Sequence, residues 1–351
     1  MFENKGVGDI KELGEFGLID HLTQYVKIHH QDTVKGIGDD AAVLNNTHSQ
    51  TLVSTDMLVE GVHFNLSYVP LKHLGYKSVV VNLSDIYAMG GKPKQITVSI
   101  AISSKFSIEA IEEFYKGVYI ACNQYQVDIV GGDTTSSNLG MVISITAIGE
   151  AQIEDIIYRN GAKPNDLICV SGDLGSAFLG LHILEREMTI FKQNPEIQPD
   201  LVGFDYLIER QLKPEARRDI IEFLKEKKVK PSAMIDVSDG LASELHHLCK
   251  QSNTGCTIYE DKIPVDPLMY DTAIDLGLDP STCALNGGED YELLFTISME
   301  NYDKIKNSVL LSVIGHMTDV SNGLNFISKS NTVHPILAQG WNAFKNNSNE
   351  Q

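Results

Sequence analysis

The sequence is poor in basic and in aromatic residues. Lys and Arg number 28 against 47 Asp and Glu, which leaves a formal net charge of −19. A field of that sign repels nucleic-acid backbones and anionic membrane surfaces, so neither is expected as a partner. It also repels nucleoside triphosphates, so a nucleotide site would need metal cations to bridge the phosphates. Aromatic residues make up 7% with a single Trp, leaving Val, Ile, Leu and Ala to fill most of the core. The cysteines at 122, 169, 249, 256 and 283 are odd in number and contain no Cys-x-x-Cys pair, so neither a disulfide framework nor a zinc site is indicated. No run approaches the roughly 20 apolar residues of a membrane span. The opening MFENKGVGDIKELGEFG combines neither a basic start nor an apolar stretch, so no secretory leader is expected, and a reducing cytoplasm is the expected compartment. Two phosphoryl-transfer signatures are missing as well. There is no G-x-x-x-x-G-K-[ST] loop, since Gly90-Gly91-Lys92 continues into Pro93, and neither H-R-D nor D-F-G occurs.

What is present is an alternation of strand-like and helix-like segments, which gives an α/β class of mixed (α+β) type. The length of 351 residues suits about two domains. Apolar spacing predicts helices over 18–26, 74–89, 107–124 and 241–250, with Ser107 as the N-cap of the third. β-branched runs predict strands over 51–54, 95–102, 127–130, 141–150, 166–170, 233–237 and 293–297, the 127–130 strand being short and buried. Residues 36–44 form a turn between short strands, 187–199 a polar surface excursion, and the Asn-rich tail after Phe344 a frayed end. The pattern restarts near the turn-rich RNGAKPND at 159–166, giving an N-terminal domain over 1–152 and a C-terminal domain over 153–351.

The aspartates stand in unusual places. Asp40, Asp56, Asp133 and Asp236 fall at or just past short apolar strands, and Asp85 lies inside an apolar helix. A buried carboxylate without a partner is costly. Few Lys or Arg stand beside these positions in sequence, and hard oxygen ligands suit Mg²⁺. Each Asp alone reads as a turn former or helix cap; together they point to several metal ions. In Gly131-Gly132-Asp133-Thr134-Thr135 the glycines would let backbone N–H groups approach phosphate beside a metal-holding carboxylate. Asp236-Val237-Ser238-Asp239-Gly240 puts two carboxylates and a hydroxyl on one turn leading into a helix, where Asp239 could equally be a cap. His63 alone is more often structural than functional. The residues by themselves indicate an α/β enzyme with an acidic, multi-metal, phosphate-handling site. A phosphohydrolase or nucleotidyl transferase using the same metals, and a metal-binding protein without turnover, stay open at this point.

The runs GIGDDAAVL (36–44), STDMLVEGVHF (54–64), YKSVVVNLSDIYAMGGKP (76–93), GGDTT (131–135), RNGAKPND (159–166), IDVSDGL (235–241) and GGEDYELLFT (287–296), with GEFGLI at 14–19, resemble the thiamine-monophosphate kinase family in order and spacing. That family shares a superfamily with aminoimidazole ribonucleotide synthetase, selenophosphate synthetase and a hydrogenase maturation protein. The resemblance implies an N-terminal α/β domain whose strands meet across a homodimer interface, a C-terminal α/β domain, and ATP in the cleft between them, bridged by several Mg²⁺ ions. It implies that Asp40, Ser54, Thr55, Asp56, Asp85, Asp133, Asp236 and Asp239 ligate metal, Asp56, Asp133 and Asp236 being catalytic. Gly132, Asp133, Arg159, Ser238 and Tyr115 would contact ATP. His63, Glu289 and Trp341 would contact thiamine monophosphate, which takes the γ-phosphoryl group by direct in-line transfer. Two positions depart from the family pattern. Tyr87 replaces a small residue and could reshape the Asp85 site, and Asn165 replaces a Gly as a turn variant. The N-terminal region lacks the reactive Cys or selenocysteine of selenophosphate synthetase.

Overall fold

The computed structural model describes residues 33–35, 39–40, 42–45, 49–103, 106–138 and 140–339. The helix expected over 18–26, the GEFGLI run, Gly36-Ile37-Gly38, Trp341 and the tail lie outside the described residues.

The first sheet comprises β1 (Thr33–Lys35), β2 (Ala42–Asn45), β3 (Gln50–Val59), β4 (Lys92–Ile102), β5 (Asp128–Ser136) and β6 (Val142–Ala151), in the order β1-β2-β3-β6-β4-β5. Only β4 and β5 run parallel. A parallel pair needs a long crossover, and the helix α2 (Ile108–Tyr125) supplies it. Together with α1 (Leu71–Ala88), α2 covers one face of the sheet. The period-2 pattern follows: Ile143, Ile145 and Ala147 of β6 are buried, while Val142, Ser144 and Thr146 alternate with them on a more open face. The helix α1 is buried almost all round, as its Leu, Val and Ile content demands. It crosses α2 closely, since a Cβ on Gly75 would lie 1.9 Å from the Phe114 carbonyl oxygen and one on Gly117 would lie 1.9 Å from that of Lys72. Ser107 caps α2 as expected, accepting from the Ala110 N–H at 3.2 Å.

The second sheet comprises β7 (Leu167–Ser171), β8 (Ala233–Asp236), β9 (Thr254–Tyr259), β10 (Leu293–Ile297), β11 (Leu311–Asp319), β12 (Leu324–Ile327) and β13 (Val333–Pro335), ordered β13-β12-β9-β11-β7-β10-β8. Helices α3 (Ser176–Gln193), α4 (Asp205–Leu212), α5 (Arg218–Glu226), α6 (Leu241–Ser252), α7 (Pro267–Asp275), α8 (Pro280–Asn286) and α9 (Tyr302–Ile305) complete this half. Strands β7, β8 and β10 are buried along their whole length. On one face Leu167, Cys169, Met234, Leu293 and Phe295 join the core built on α1 and α2. On the other, Ile168, Val170, Ile235 and Leu294 pack with Leu179 of α3 and Leu245 of α6. The core shared across the two halves sets the ends of β8 and β10 against α1. Emptying it at Phe295 would destabilise the protein by about 3–5 kcal/mol.

Several sequence expectations change in three dimensions. The strand expected over 51–54, with Asp56 just past it, runs on to Val59, so Asp56 is inside β3. The segment expected as a short buried strand at 127–130 is β5, which carries Gly131-Gly132-Asp133 within it and is largely exposed because it lies at a sheet edge. The excursion expected to begin at 187 starts later. Residues up to Gln193 finish α3, and Glu187 is buried, accepting from the Asp200 N–H at 2.9 Å. Tyr87 packs away from the cleft, its ring 6.3 Å from that of Tyr125. Asn165 takes φ 74°, a left-handed turn that Asn tolerates in place of Gly.

Candidate active site

Four carboxylates converge where the two halves meet. Asp40 comes from the link between β1 and β2, Asp56 from the middle of β3, Asp85 from α1 and Asp236 from the last residue of β8. Asp40, Asp85 and Asp236 each present one oxygen within 4.8 Å of the others. Hydroxyls hold two of them: Ser54 donates to Asp85, and Ser84 donates to Asp236 at 2.5 Å. Asp56 is steadied through its backbone N–H, which donates to the Asn82 side-chain oxygen at 2.9 Å. Burial and the neighbouring charges push Asp56 up to about 6 and Asp236 up to about 8. They raise Asp85 well above the usual carboxylate range, the Ser54 bond opposing only in part. These groups repel one another in a low-dielectric cleft, the setting that a bound cation relieves.

Arg159 sits at one end of the cluster, bidentate to Asp40 and 3.6 Å from Asp39. It comes from the linker, far from Asp40 in sequence, which is why the neighbourhood of Asp40 reads as lacking basic residues. At the other end stands Glu289, in the left-handed region at φ 71° with Tyr291 at φ 51°. Backbone strain of this kind persists only where the surroundings impose it. Here the N–H groups of Glu289 and Tyr291 donate to the carbonyls of Ser238 and Val237 at 2.7 and 2.8 Å. His63 lies near Glu289, its Nδ1 accepting from the Val59 N–H at 3.0 Å; burial lowers its pKa, with Glu289 opposing. Ser238 and Asp239 occupy the turn before α6, and the Asp239 N–H donates to Glu244 at 3.1 Å.

Some expected site residues are not brought together. Thr55 projects from the opposite face of β3, where its hydroxyl donates to the Ile145 carbonyl at 3.0 Å, so its side chain does not join the cluster. Asp133 and Gly132 lie on the edge strand β5. Pairing runs from Asp56 to Ile145, to Val98, to Gly132, three strands across. That separates Asp56 from this edge by about 14 Å, beyond any shared metal ligation within one chain. Gly132 passes so near β4 that a Cβ would lie 1.8 Å from the Val98 carbonyl oxygen. Tyr115 sits on α2 and makes ring contacts with Phe114 and Tyr119.

Comparison with known proteins shows which family the chain belongs to. The model for AIR synthase related protein, N-terminal domain, matches residues 38–151, and that for its C-terminal domain matches 163–302. The thiamine-monophosphate kinase of Bacillus subtilis is 36% identical over 339 residues, covering 95% of this chain and all (100%) of that one. The chain belongs to the thiamine-monophosphate kinase family. It is an enzyme of that family over nearly its whole length. The thiamine-monophosphate kinase of Escherichia coli K12 is also 36% identical, over 90% of this chain and 93% of that one. The solved structure of AaThiL complexed with AMPPCP and TMP superposes with a TM-score of 0.81 at 33% identity, covering 96% of this chain and 99% of that one. A hydrogenase maturation protein HypE in complex with ATP, 19% identical at TM-score 0.65 over 91% of this chain and 94% of that one, shares the fold.

Set beside the family motifs, several residues of the cleft carry more than the sequence reading assigned them. Ser84 and Asn82 hold Asp236 and Asp56, Glu244 secures the Asp239 turn, and Lys77 binds Glu289. A signal existed in α1. Ser78, Asn82 and Asp85 recur at i, i+4 and i+7 in a largely buried helix, a polar stripe that packing alone gives no reason to keep.

Proposed function

We propose that this enzyme transfers the γ-phosphoryl group of ATP to thiamine monophosphate, releasing thiamine diphosphate and ADP. The observation that carries the reading is the convergence of Asp40, Asp56, Asp85 and Asp236 in the cleft of a chain of this family. An oxygen of the acceptor phosphate attacks Pγ in line. The new P–O bond forms as the bond to the β–γ bridging oxygen breaks, and that electron pair leaves with ADP. The attacking oxygen is already anionic, so no proton has to be removed by a strong base. The work of the site is positioning and charge neutralisation.

The donor set fits Mg²⁺: hard carboxylate oxygens within 4.8 Å of one another, with raised proton affinities that mark uncompensated negative charge. Asp40, Asp56, Asp85 and Asp236 would hold it, with Ser54 and Asp239 beside them. Bound there, it would offset the triphosphate charge. Arg159, Ser238 and Tyr115 belong to the ATP side in this reading, and His63, Glu289 and Trp341 to the acceptor side. Asp133 and Gly132, distant within the chain, would act from a second copy in a homodimer packed through the open face of the first sheet, where Thr55 and Met57 are exposed. The domain boundary is proposed at 152/153. The cysteines at 122, 169, 249, 256 and 283, all free and buried, suit a cytoplasmic enzyme.

The test is incubation of purified protein with ATP, Mg²⁺ and thiamine monophosphate, following thiamine diphosphate and ADP by chromatography. Free thiamine serves as a parallel acceptor. Equal amounts of both products from the monophosphate alone, abolished by a chelator, are expected. No product from folded protein that still binds Mg-ATP would move the assignment to another activity of the superfamily.

A further inference from the structure

Lys77 lies in the middle of α1, buried among Leu74, Val79, Val80 and Val81. Its ammonium is gripped by two groups of the second half of the molecule. It donates to the Gln211 carbonyl at 2.8 Å and is paired with Glu289. Gln211 stands in the last turn of α4, where backbone carbonyls carry partial negative charge. An ammonium has three donors, and these two contacts use two of them. Glu289 is itself shared, accepting from the Tyr291 hydroxyl at 3.1 Å, and its side chain stays 34% exposed toward the cleft. Lys77 also acts electrostatically on His63, so the ammonium stands among the groups on the acceptor side.

The distribution of charge makes this position informative. Among the described residues, the ion pairs made by the carboxylates of the cleft come from Arg159, at Asp40, and from Lys77, at Glu289. Arg159 is engaged bidentately at the end assigned to ATP. A buried ion pair adds little to stability compared with apolar packing, so packing does not account for a lysine here. A phosphate arriving beside Glu289 would meet carboxylates on the cluster side, and Lys77, with two contacts made, keeps one N–H beyond them.

We propose that Lys77 binds the phosphate group of the acceptor and thereby sets the preference for a phosphorylated over an unphosphorylated acceptor. This rests on the kinase reading above. Glu289 and the Gln211 carbonyl orient the ammonium, and a charge-assisted N–H···O bond to a phosphate oxygen completes its donor set.

The experiment measures Kd by calorimetry for thiamine monophosphate and for free thiamine, with Mg²⁺ and AMPPCP present, in the wild type and in Lys77→Met, together with KM for ATP. The expected result is an affinity for thiamine monophosphate weakened about 100-fold, with the affinity for free thiamine and KM for ATP each within about threefold. Lys77→Gln keeps a donor for the Gln211 carbonyl and guards against a Met variant that fails to fold; the same selective loss is expected of it. Equal weakening for both ligands would make Lys77 a support for Glu289 only and overturn the proposal, as would no change for either. A wild-type protein that neither binds nor phosphorylates thiamine monophosphate would overturn the kinase reading and this proposal with it. An active wild type with an unaffected variant overturns this proposal alone.

Discussion

Two sets of buried carboxylates meet at the 287–292 loop, and they are held in opposite ways. On the cleft side Asp85 and Asp236 receive hydroxyls from Ser54 and Ser84, and of the cluster only Asp40 has an ion pair among the described residues. On the far side Glu292 is paired with Arg217 and, at 3.0 Å, with Arg210, and also accepts from Ser171. Asp290 accepts from the Gly175 and Ala177 N–H groups at 2.8 and 3.3 Å, closing the N-terminus of α3, with Arg210 at 3.7 Å. Burial still lifts Asp290 to about 7, against the pull of Arg210 and those two N–H bonds. The far-side carboxylates are answered by two arginines, a hydroxyl and two backbone N–H groups. The cleft carboxylates are answered mainly by hydroxyls, and burial and mutual repulsion raise their proton affinity. The loop joins them by alternation: Asp290 and Glu292 face their arginines and helix, while Glu289 and Tyr291 are turned to the cleft at positive φ.

Exchanging the roles of the two sets is the sharpest way to break this comparison. Asp56→Ala or Asp236→Asn should lower kcat by about 10³-fold or more, with a melting temperature equal to or above that of the wild type because a mutual repulsion is removed. An active, magnesium-dependent variant would remove these residues from the chemistry. Glu292→Gln should do the reverse. It leaves Arg210 and Arg217 short of their carboxylate, at a cost of about 3–5 kcal/mol, or roughly 10 °C in Tm for a chain of this size. A variant that melts with the wild type would make the far-side pairs dispensable.

The edge strand sharpens the comparison further. Asp133→Ala alone should also be nearly inactive, although Asp133 is distant from the cluster in its own chain. Mixing it with Asp56→Ala under conditions that exchange subunits should recover about 25% of wild-type activity, since random pairing makes half the dimers mixed and gives each one intact site. No recovery from subunits shown to exchange would place Asp133 outside a shared site. The smallest effect is expected from pH. Burial and neighbouring charge raise Asp56 to about 6 and Asp236 to about 8, above the ordinary aspartate value of 3.8. The unfolded chain therefore loses protons first, and the stability these groups contribute, complete below pH 3.8, is lost as pH rises through the folded values. Chelator-treated protein should melt about 5 °C lower at pH 8 than at pH 5, and Mg²⁺ should remove the difference. A flat profile would mean that the cluster is already compensated within the chain.

Local structure was legible where a residue's role depends on its neighbours in sequence. The Ser107 cap, the helix containing Asp85, the strand at 293–297 and the turn at Asn165 follow from spacing and side-chain type. The candidate site was legible as a set of residue types, acidic groups in apolar surroundings that need cations. Its membership was legible in part: Asp40, Asp56, Asp85 and Asp236 were named and do converge. Thr55 and Asp56 are adjacent in sequence, yet strand alternation sends them to opposite faces. Asp133 belongs to a Gly-Gly-Asp run that reads as a phosphate loop, and sheet order carries it to an edge.

By itself, then, the sequence determined the periodicities, the caps, the acidic excess and the family motifs, because these depend on side-chain chemistry at short range. The tertiary structure alone decided which carboxylates share a cleft, that Arg159 answers Asp40, that Lys77 crosses between the halves to Glu289, and that Asp290 and Glu292 are neutralised from behind. Charges interact over a few ångströms of space whatever their separation along the chain. Folding sets those distances when it packs β8 and β10 against α1 to bury a shared apolar core.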